Sequence, residues 1–239
     1  MRATLGTPYQ QDPYLDYPAE EQAASLQANP ALLEHWLKGW ALARGTPLPV
    51  AEHGGWRVDV GWPEQKARYV FPGMLPGIAD LAHSISEPWV FLKACMSPAA
   101  LRAILPAHWV IQRPGYLMTL ATRMPEANAL PAGYALDITL AQPMCTVQVL
   151  TADGEVAASG RIVLVDGLAI YDNIATQVAH QRRGLGRVVM TQLEAIATQH
   201  GIKDGVLVAT PEGRALYTSL GWDLHTLYST AVIPPLHEG

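Results

Sequence analysis

Cysteine is scarce in this chain: 239 residues hold two, Cys95 and Cys145, far apart in sequence. Two thiols at that separation give neither a disulfide framework nor a metal-ligand spacing, so reduced, buried cysteines in a cytoplasmic protein are expected. The histidines are scattered and none stands in a His-x-x-x-His pair, so no metal is expected either. No stretch reaches the roughly 18 apolar residues of a membrane helix. The first residues lack a basic segment followed by an apolar one, and no secretory leader is expected. Basic residues are not in excess: 16 Lys and Arg against 21 Asp and Glu leave a formal net charge of −5. A phosphate backbone demands basic surface, so nucleic acid is not an expected partner. An acidic balance is compatible with a cationic amine, but most soluble proteins share it. No repeat of roughly 20–50 residues is visible. What is present is an apolar fraction of 49 %, enough for a real core in one large domain or two small ones.

Periodicity and punctuation divide the chain. Residues 1–29, rich in Gln, Pro, Tyr, Ala and Glu, read as an N-terminal arm whose Tyr9, Tyr14 and Tyr17 can pack on the domain or on a partner. Pro30 opens a helix with Leu33, Trp36, Leu37 and Trp40 on one face and Gly45 as its stop. Strands are expected at Trp56–Val60 and Ala67–Phe71 around a polar turn, then a short helix from Pro76 to Ser84 and a strand from Trp89 to Ala94. Ser97-Pro98 caps a helix running to Leu105, and Tyr116–Ala121 is another strand. Residues 122–133, with Pro125, Pro131 and Gly133, are the boundary candidate, giving an α/β region over 30–125 and a second domain over 126–239. There, Tyr134–Leu140 is a strand, and Thr146–Leu150 with Glu155–Val165 form a hairpin around Asp153-Gly154. The strand Leu168–Thr176 and an amphipathic helix over 184–200 follow, the latter ended by Gly201. Val206–Ala209 reads as a buried parallel strand, Thr210-Pro211-Glu212 as a complete helix start, Gly221 as that helix's stop, and Tyr228–Ile233 as the last strand.

The segment Gln181-Arg182-Arg183-Gly184-Leu185-Gly186 carries the chemistry. A glycine-bearing turn between a strand and a helix leaves main-chain amides without internal partners, at the positive end of the helix dipole. Gly184 and Gly186 let an anion approach the backbone, and Arg182, Arg183 and Arg187 add charge, so the loop can seat a diphosphate. A P-loop would need Lys and then Ser or Thr after the last glycine, where Arg187-Val188 stands. A dinucleotide fold would need Gly or Ala where Val189 stands, and Asp204 is poorly placed for its ribose acid.

Gln/Arg-x-x-Gly-x-Gly between a strand and an amphipathic helix resembles the acetyl-CoA loop of the GCN5-related N-acetyltransferases (GNAT). Asn173-Ile174-Ala175-Thr176 looks like that family's splayed fourth strand, and Leu216-Tyr217-Thr218-Ser219-Leu220-Gly221-Trp222 resembles its closing helix and turn. The resemblance covers about residues 134 to 233 and implies an α/β (α+β) fold. Its core is a mixed, mostly antiparallel twisted sheet flanked by helices, and the N-terminal region is read as a degenerate second copy. It implies acetyl-CoA as co-substrate, no metal, and a homodimer as a common assembly.

By the same resemblance, the amides of Ile174, Ala175 and Thr176 meet the cofactor's amide chain and carbonyl. The diphosphate lies over Gln181, Arg182, Arg183, Gly184, Leu185, Gly186 and Arg187. Tyr217 matches the general acid: a phenol of pKa about 10 is protonated at neutral pH and can give its proton to a thiolate. Asp172, two residues before Ile174 and expected on the same face, is either the base or a carboxylate pairing with an arginine. Thr210 stands where other members have an asparagine; its first job is capping, with a cofactor contact second. Gly205 stands where one bacterial branch has a catalytic glutamate, which counts against that branch's protein-modifying role. The family's usual pair of helices between its first two strands is missing, since only Ala141-Gln142-Pro143-Met144 lies there. The first half, with Trp36, Trp40, Trp56, Trp62, Trp89 and Trp109, is expected to supply that wall of the acceptor pocket or a plain core. The expected function is transfer of an acetyl group to a small-molecule amine by direct attack. The alternatives are a non-catalytic acyl-CoA-binding or regulatory protein and an acyltransferase using a longer acyl-CoA.

Overall fold

The computed structural model describes residues 27–126 and 129–235. The expected arm therefore lies almost wholly outside the described residues, its three tyrosines included. Its last residues are placed: Ala28 is buried, and the Asn29 side chain accepts from the amides of Ala31 and Leu32. That cap and Pro30 start helix α1 (Pro30–Leu42).

In chain order there follow β1 (Val50–Glu52), β2 (Gly55–Trp62), β3 (Gln65–Phe71), α2 (Ile78–Ser84), β4 (Val90–Ala94) and α3 (Pro98–Ile104). Next come β5 (Val110–Ile111), β6 (Gly115–Leu120), β7 (Tyr134–Thr139), β8 (Met144–Thr151), β9 (Val156–Val165) and β10 (Leu168–Thr176). A short 3-10 turn (Val178–His180) leads into α4 (Leu185–Gln199), and β11 (Gly205–Ala209), α5 (Pro211–Ser219) and β12 (Asp223–Val232) complete the described chain. The strands join one sheet in the order β1-β2-β3-β4-β12-β6-β11-β10-β9-β8-β7, with β5 on β12. Neighbours are antiparallel except β3 with β4 and β10 with β11. This is the mixed, mostly antiparallel, helix-flanked sheet that the resemblance implied.

Several expectations need correction. The last strand begins at Asp223 rather than Tyr228, because its first half finds a partner in β6 that is distant in sequence. The short strands β1 and β5 and the 3-10 turn were not expected; they are too short to carry a period. Helix α2 starts at Ile78, since Gly77 holds a left-handed φ of 88° that no helix continues through.

The connectivity repeats a pattern. Each parallel pair is bridged by a helix, α2 between β3 and β4 and α4 between β10 and β11, and each is followed by a capped helix, α3 after Ser97 and α5 after Thr210. Each set then ends in a long strand segment, β5–β6 or β12, and these two segments pair with one another. They also trade places: β6 pairs with β11, and Ser229–Val232 of β12 pairs with β4. Strand β6 precedes the 122–133 linker in sequence, yet it sits between two strands that follow it.

Helix α1 lies on β9 and β10. Leu33, Trp36, Leu37 and Trp40 share a buried cluster with Val58 and Val70 of the first half and Val163, Leu168, Ile170 and Val206 of the second. At Gly39 a Cβ would lie 2.3 Å from Ile170 Cγ1, so the glycine sets how closely the helix approaches the sheet. Helices α4 and α5 cover the opposite face, where Val189, Leu193 and Tyr217 pack on Val147, Ala169 and Tyr171.

Candidate functional site

Strands β10 and β11 are paired only at Ala169↔Gly205 and Ile170↔Val206, and then part. The cause is local. Asn173 takes a left-handed φ of 51°, and the β10–β9 register shifts between Asp172 and Ala175. The corresponding parallel pair of the first half stays in register over five positions, Ala67↔Val90 to Phe71↔Ala94, and does not open. A cleft of about 980 Å³ therefore forms at β10. It is lined by Ile174, Ala175 and Thr176 of the strand end and by Gln181, Arg182, Gly184, Leu185, Gly186 and Arg187 of the loop.

The loop leaves main-chain amides open at the start of α4. Arg182 and Gly184 have φ values of 60° and 79°, and Gly184, as the residue that caps α4, offers no side chain, so the first-turn amides at the cleft are left unclaimed by a cap. Gln181 Nε2 donates to the Thr176 carbonyl at 3.2 Å, tying the loop to the strand end. A Cβ on Gly186 would lie 3.0 Å from Leu216 Cδ2, so glycine there lets α4 start tight against α5. Arg187 reaches Ser219 Oγ at 3.3 Å across the same junction. Arg183 turns the other way: it donates to the Tyr134 hydroxyl at 2.9 Å and the Ala179 carbonyl at 3.3 Å, and is not among the residues lining the cleft. Thr210 caps α5, accepting from the Gly213 amide at 3.2 Å, and also lines the cleft.

Tyr217, on α5, lines the cleft with its ring buried against Trp222 at 6.3 Å between centroids. Burial, with the Asp172 carboxylate adding to it, pushes its phenol up to about 12, so it holds its proton throughout the neutral range.

Asp172 does not share a face with Ile174, as strand alternation predicted. The irregular backbone at Asn173 inverts the alternation: Asp172 points to the α1 face, and Ile174 packs on the α4 face beside Gly160. Two guanidinium groups meet the Asp172 carboxylate, Arg44 at 2.8 Å and Arg161 at 3.4 Å. This is the arginine pairing that the sequence left open as the alternative to a base.

At the far end of the cleft stand Trp36 and Trp40 of α1, two of the tryptophans named in the sequence as wall or core. Sequence reading missed their neighbours: Arg44 beyond α1, Arg68 from β3, Lys93 from β4 and Tyr228 from β12. Arg68 lies with its guanidinium carbon 3.4 Å from the centroid of the Trp40 ring. Burial brings Arg68 down to about 10, and burial with the neighbouring Arg68 and Arg44 charges holds Lys93 well below the ordinary lysine value. The available signal was a cation on an inward position of an apolar strand, as in Ala67-Arg68-Tyr69-Val70 and Phe91-Leu92-Lys93-Ala94. Among the described residues no group of three or more His, Cys, Asp or Glu is placed to hold a metal, and no helix is long and apolar enough to cross a membrane.

Comparison with known proteins agrees with this geometry. Residues 111–222 match the model of the Acetyltransferase (GNAT) family. A GCN5-related N-acetyltransferase from Kribbella flavida superposes with a TM-score of 0.61 at 15 % identity, over 90 % of this chain and 98 % of that one. One from Sphaerobacter thermophilus does so with a TM-score of 0.54 at 12 % identity, over 76 % and 78 %. No curated protein matches the sequence. The chain has the fold of these acetyltransferases, and the family match lies over the segment that builds the cleft.

Proposed function

We propose that this protein is an N-acetyltransferase that takes acetyl-CoA in the β10–β11 cleft and transfers the acetyl group to the amine of a small molecule. The observation that carries the reading is the coincidence, in one cleft, of uncapped α4 amides, the parted strand end at Ile174–Thr176 and the buried phenol of Tyr217.

The residues fit the cofactor. The first-turn amides of α4, Arg182 and Arg187 hold the diphosphate, and the main chain of Ile174, Ala175 and Thr176, open on the side where β11 has parted, takes the amide chain. Arg183 acts by holding the loop to Tyr134 instead of touching phosphate. Thr210 stays a cap with a secondary contact. The bound thioester supplies the activated acyl group. Tyr217, kept protonated by burial, gives its proton to the leaving thiolate, and the strand-end amides polarise the thioester carbonyl. Holding amine and thioester together supplies much of the rest. Asp172, held by Arg44 and Arg161, fixes the α1 side of the acceptor end and can take the amine's proton through water.

The division of labour follows the topology. Residues 126–235 with β6 form the catalytic half, and residues 30–104 form a degenerate copy that keeps its parallel pair closed and lends α1, β3 and β4 as the acceptor wall. Calorimetric titration of acetyl-CoA, followed by thiol release with an amine panel, tests the function. Tight binding with turnover is expected, and binding without turnover on any amine would leave the non-catalytic alternative.

A further inference from the structure

The acceptor end of the cleft is more cationic than the chain. A formal charge of −5 describes the whole sequence. Yet Arg44, Arg161 and Arg68 gather around one carboxylate, Asp172, and Lys93 lies beside Arg68 and Arg44. Asp172 is already shared by Arg44 and Arg161. Arg68 is left with the face of Trp40, and its Nε has no hydrogen-bond partner among the described residues, although the residue is only 6 % exposed. Lys93 Nζ has the Thr230 hydroxyl at 2.9 Å, a neutral partner. The Tyr228 hydroxyl beside them is buried and also lacks a partner among the described residues. Charges kept out of water without a counter-ion are costly, so such a cluster persists where a ligand completes it.

Resting on the acyltransferase reading, we propose that the acceptor amine carries a carboxylate, which docks on Arg68 with Lys93 and the Tyr228 hydroxyl alongside. The guanidinium fork suits a carboxylate through paired N–H donors, and Trp36 and Trp40 line the same cleft beside it. The same cluster gives no evident service to the cofactor diphosphate, which has the α4 amides, Arg182 and Arg187. Arg68 is thus a specificity residue: it selects amino acids over plain amines.

The test uses the full chain with saturating acetyl-CoA, and compares the proteinogenic L-amino acids with their carboxamides. For the accepted amino acid, removing the negative charge is expected to lower kcat/KM about 100-fold, the size of a lost charge-assisted hydrogen-bond pair. Arg68→Met should erase that discrimination while the affinity for coenzyme A stays unchanged. Carboxamides used as well as the acids by the wild-type protein would overturn the proposal, as would a fall in coenzyme A affinity in Arg68→Met, which would give the cluster to the cofactor. Calorimetric binding of the same amino acids without cofactor separates the two readings. Carboxylate binding lost in Arg68→Met supports the anion site even if no thiol is released, whereas a protein that binds coenzyme A but no carboxylate sinks this inference alone.

Discussion

Tyr217 and Asp172 are neighbours in charge but not in role. The phenol stays neutral because burial raises the cost of a phenolate and the nearby carboxylate adds to it. Tyr217→Phe should lower kcat by about 100-fold, the lower range for loss of a positioned acid, with acetyl-CoA affinity unchanged by calorimetry. Equal turnover would return Tyr217 to a packing role. Its raised value also has a stability consequence. The folded chain keeps a proton that the unfolded chain releases between about 10 and about 12, so stability falls as pH rises through that window. Tyr171 and Tyr228 are raised by burial and act with the same sign, while Arg68, lowered to about 10, acts with the opposite one. Urea midpoints measured above pH 10.5, the ordinary lysine value past which Lys93 adds no further gain, should decline, and less steeply in Tyr217→Phe. A rising midpoint would contradict the burial of these phenols.

At the scale of elements, two glycines separate binding from folding. Gly184 holds φ 79° with open space where a Cβ would be, so its substitution strains the loop without striking a neighbour. A β-branched residue there costs about 1–3 kcal/mol of backbone strain or moves the first turn of α4. Gly184→Val should therefore abolish acetyl-CoA binding by calorimetry while far-UV circular dichroism stays native. Gly39 is the reverse case. A Cβ at that site meets Ile170 inside the core between α1 and β10, so Gly39→Val should lower stability by about 1–3 kcal/mol in a denaturant titration, through overpacking. The loop was legible in sequence because strand, glycine turn and amphipathic helix follow one another within the stretch from Leu168 to Gln199. The Asp172 orientation was not. Strand alternation is a local rule, and a single left-handed residue, Asn173, reverses it.

For the whole molecule, the exchange of β6 and the end of β12 makes each half incomplete alone. A fragment from residue 105 onward keeps β6 but loses α1 and β4, exposing Val163, Leu168, Ile170 and Val206. It should be unfolded or aggregated by circular dichroism and light scattering, and co-expression with residues 27–104 should restore solubility. A folded, soluble fragment would make the first half dispensable and count against the proposed acceptor wall.

The sequence by itself determined nearly every element and the glycine loop ahead of α4, because period, caps and glycine turns act over a few residues and are written where they act. It also placed Tyr217 on a helix that a cap, a proline and a closing glycine define. Only the tertiary structure decided which strands adjoin, since pairing β6 between β11 and β12 depends on contacts about a hundred residues apart, which no local pattern encodes. For the same reason it alone brought Arg44 and Arg161 to Asp172 with Arg68 and Lys93 beside them: charges from four separate parts of the chain acquire a common chemistry only once the sheet has closed their distance and buried them.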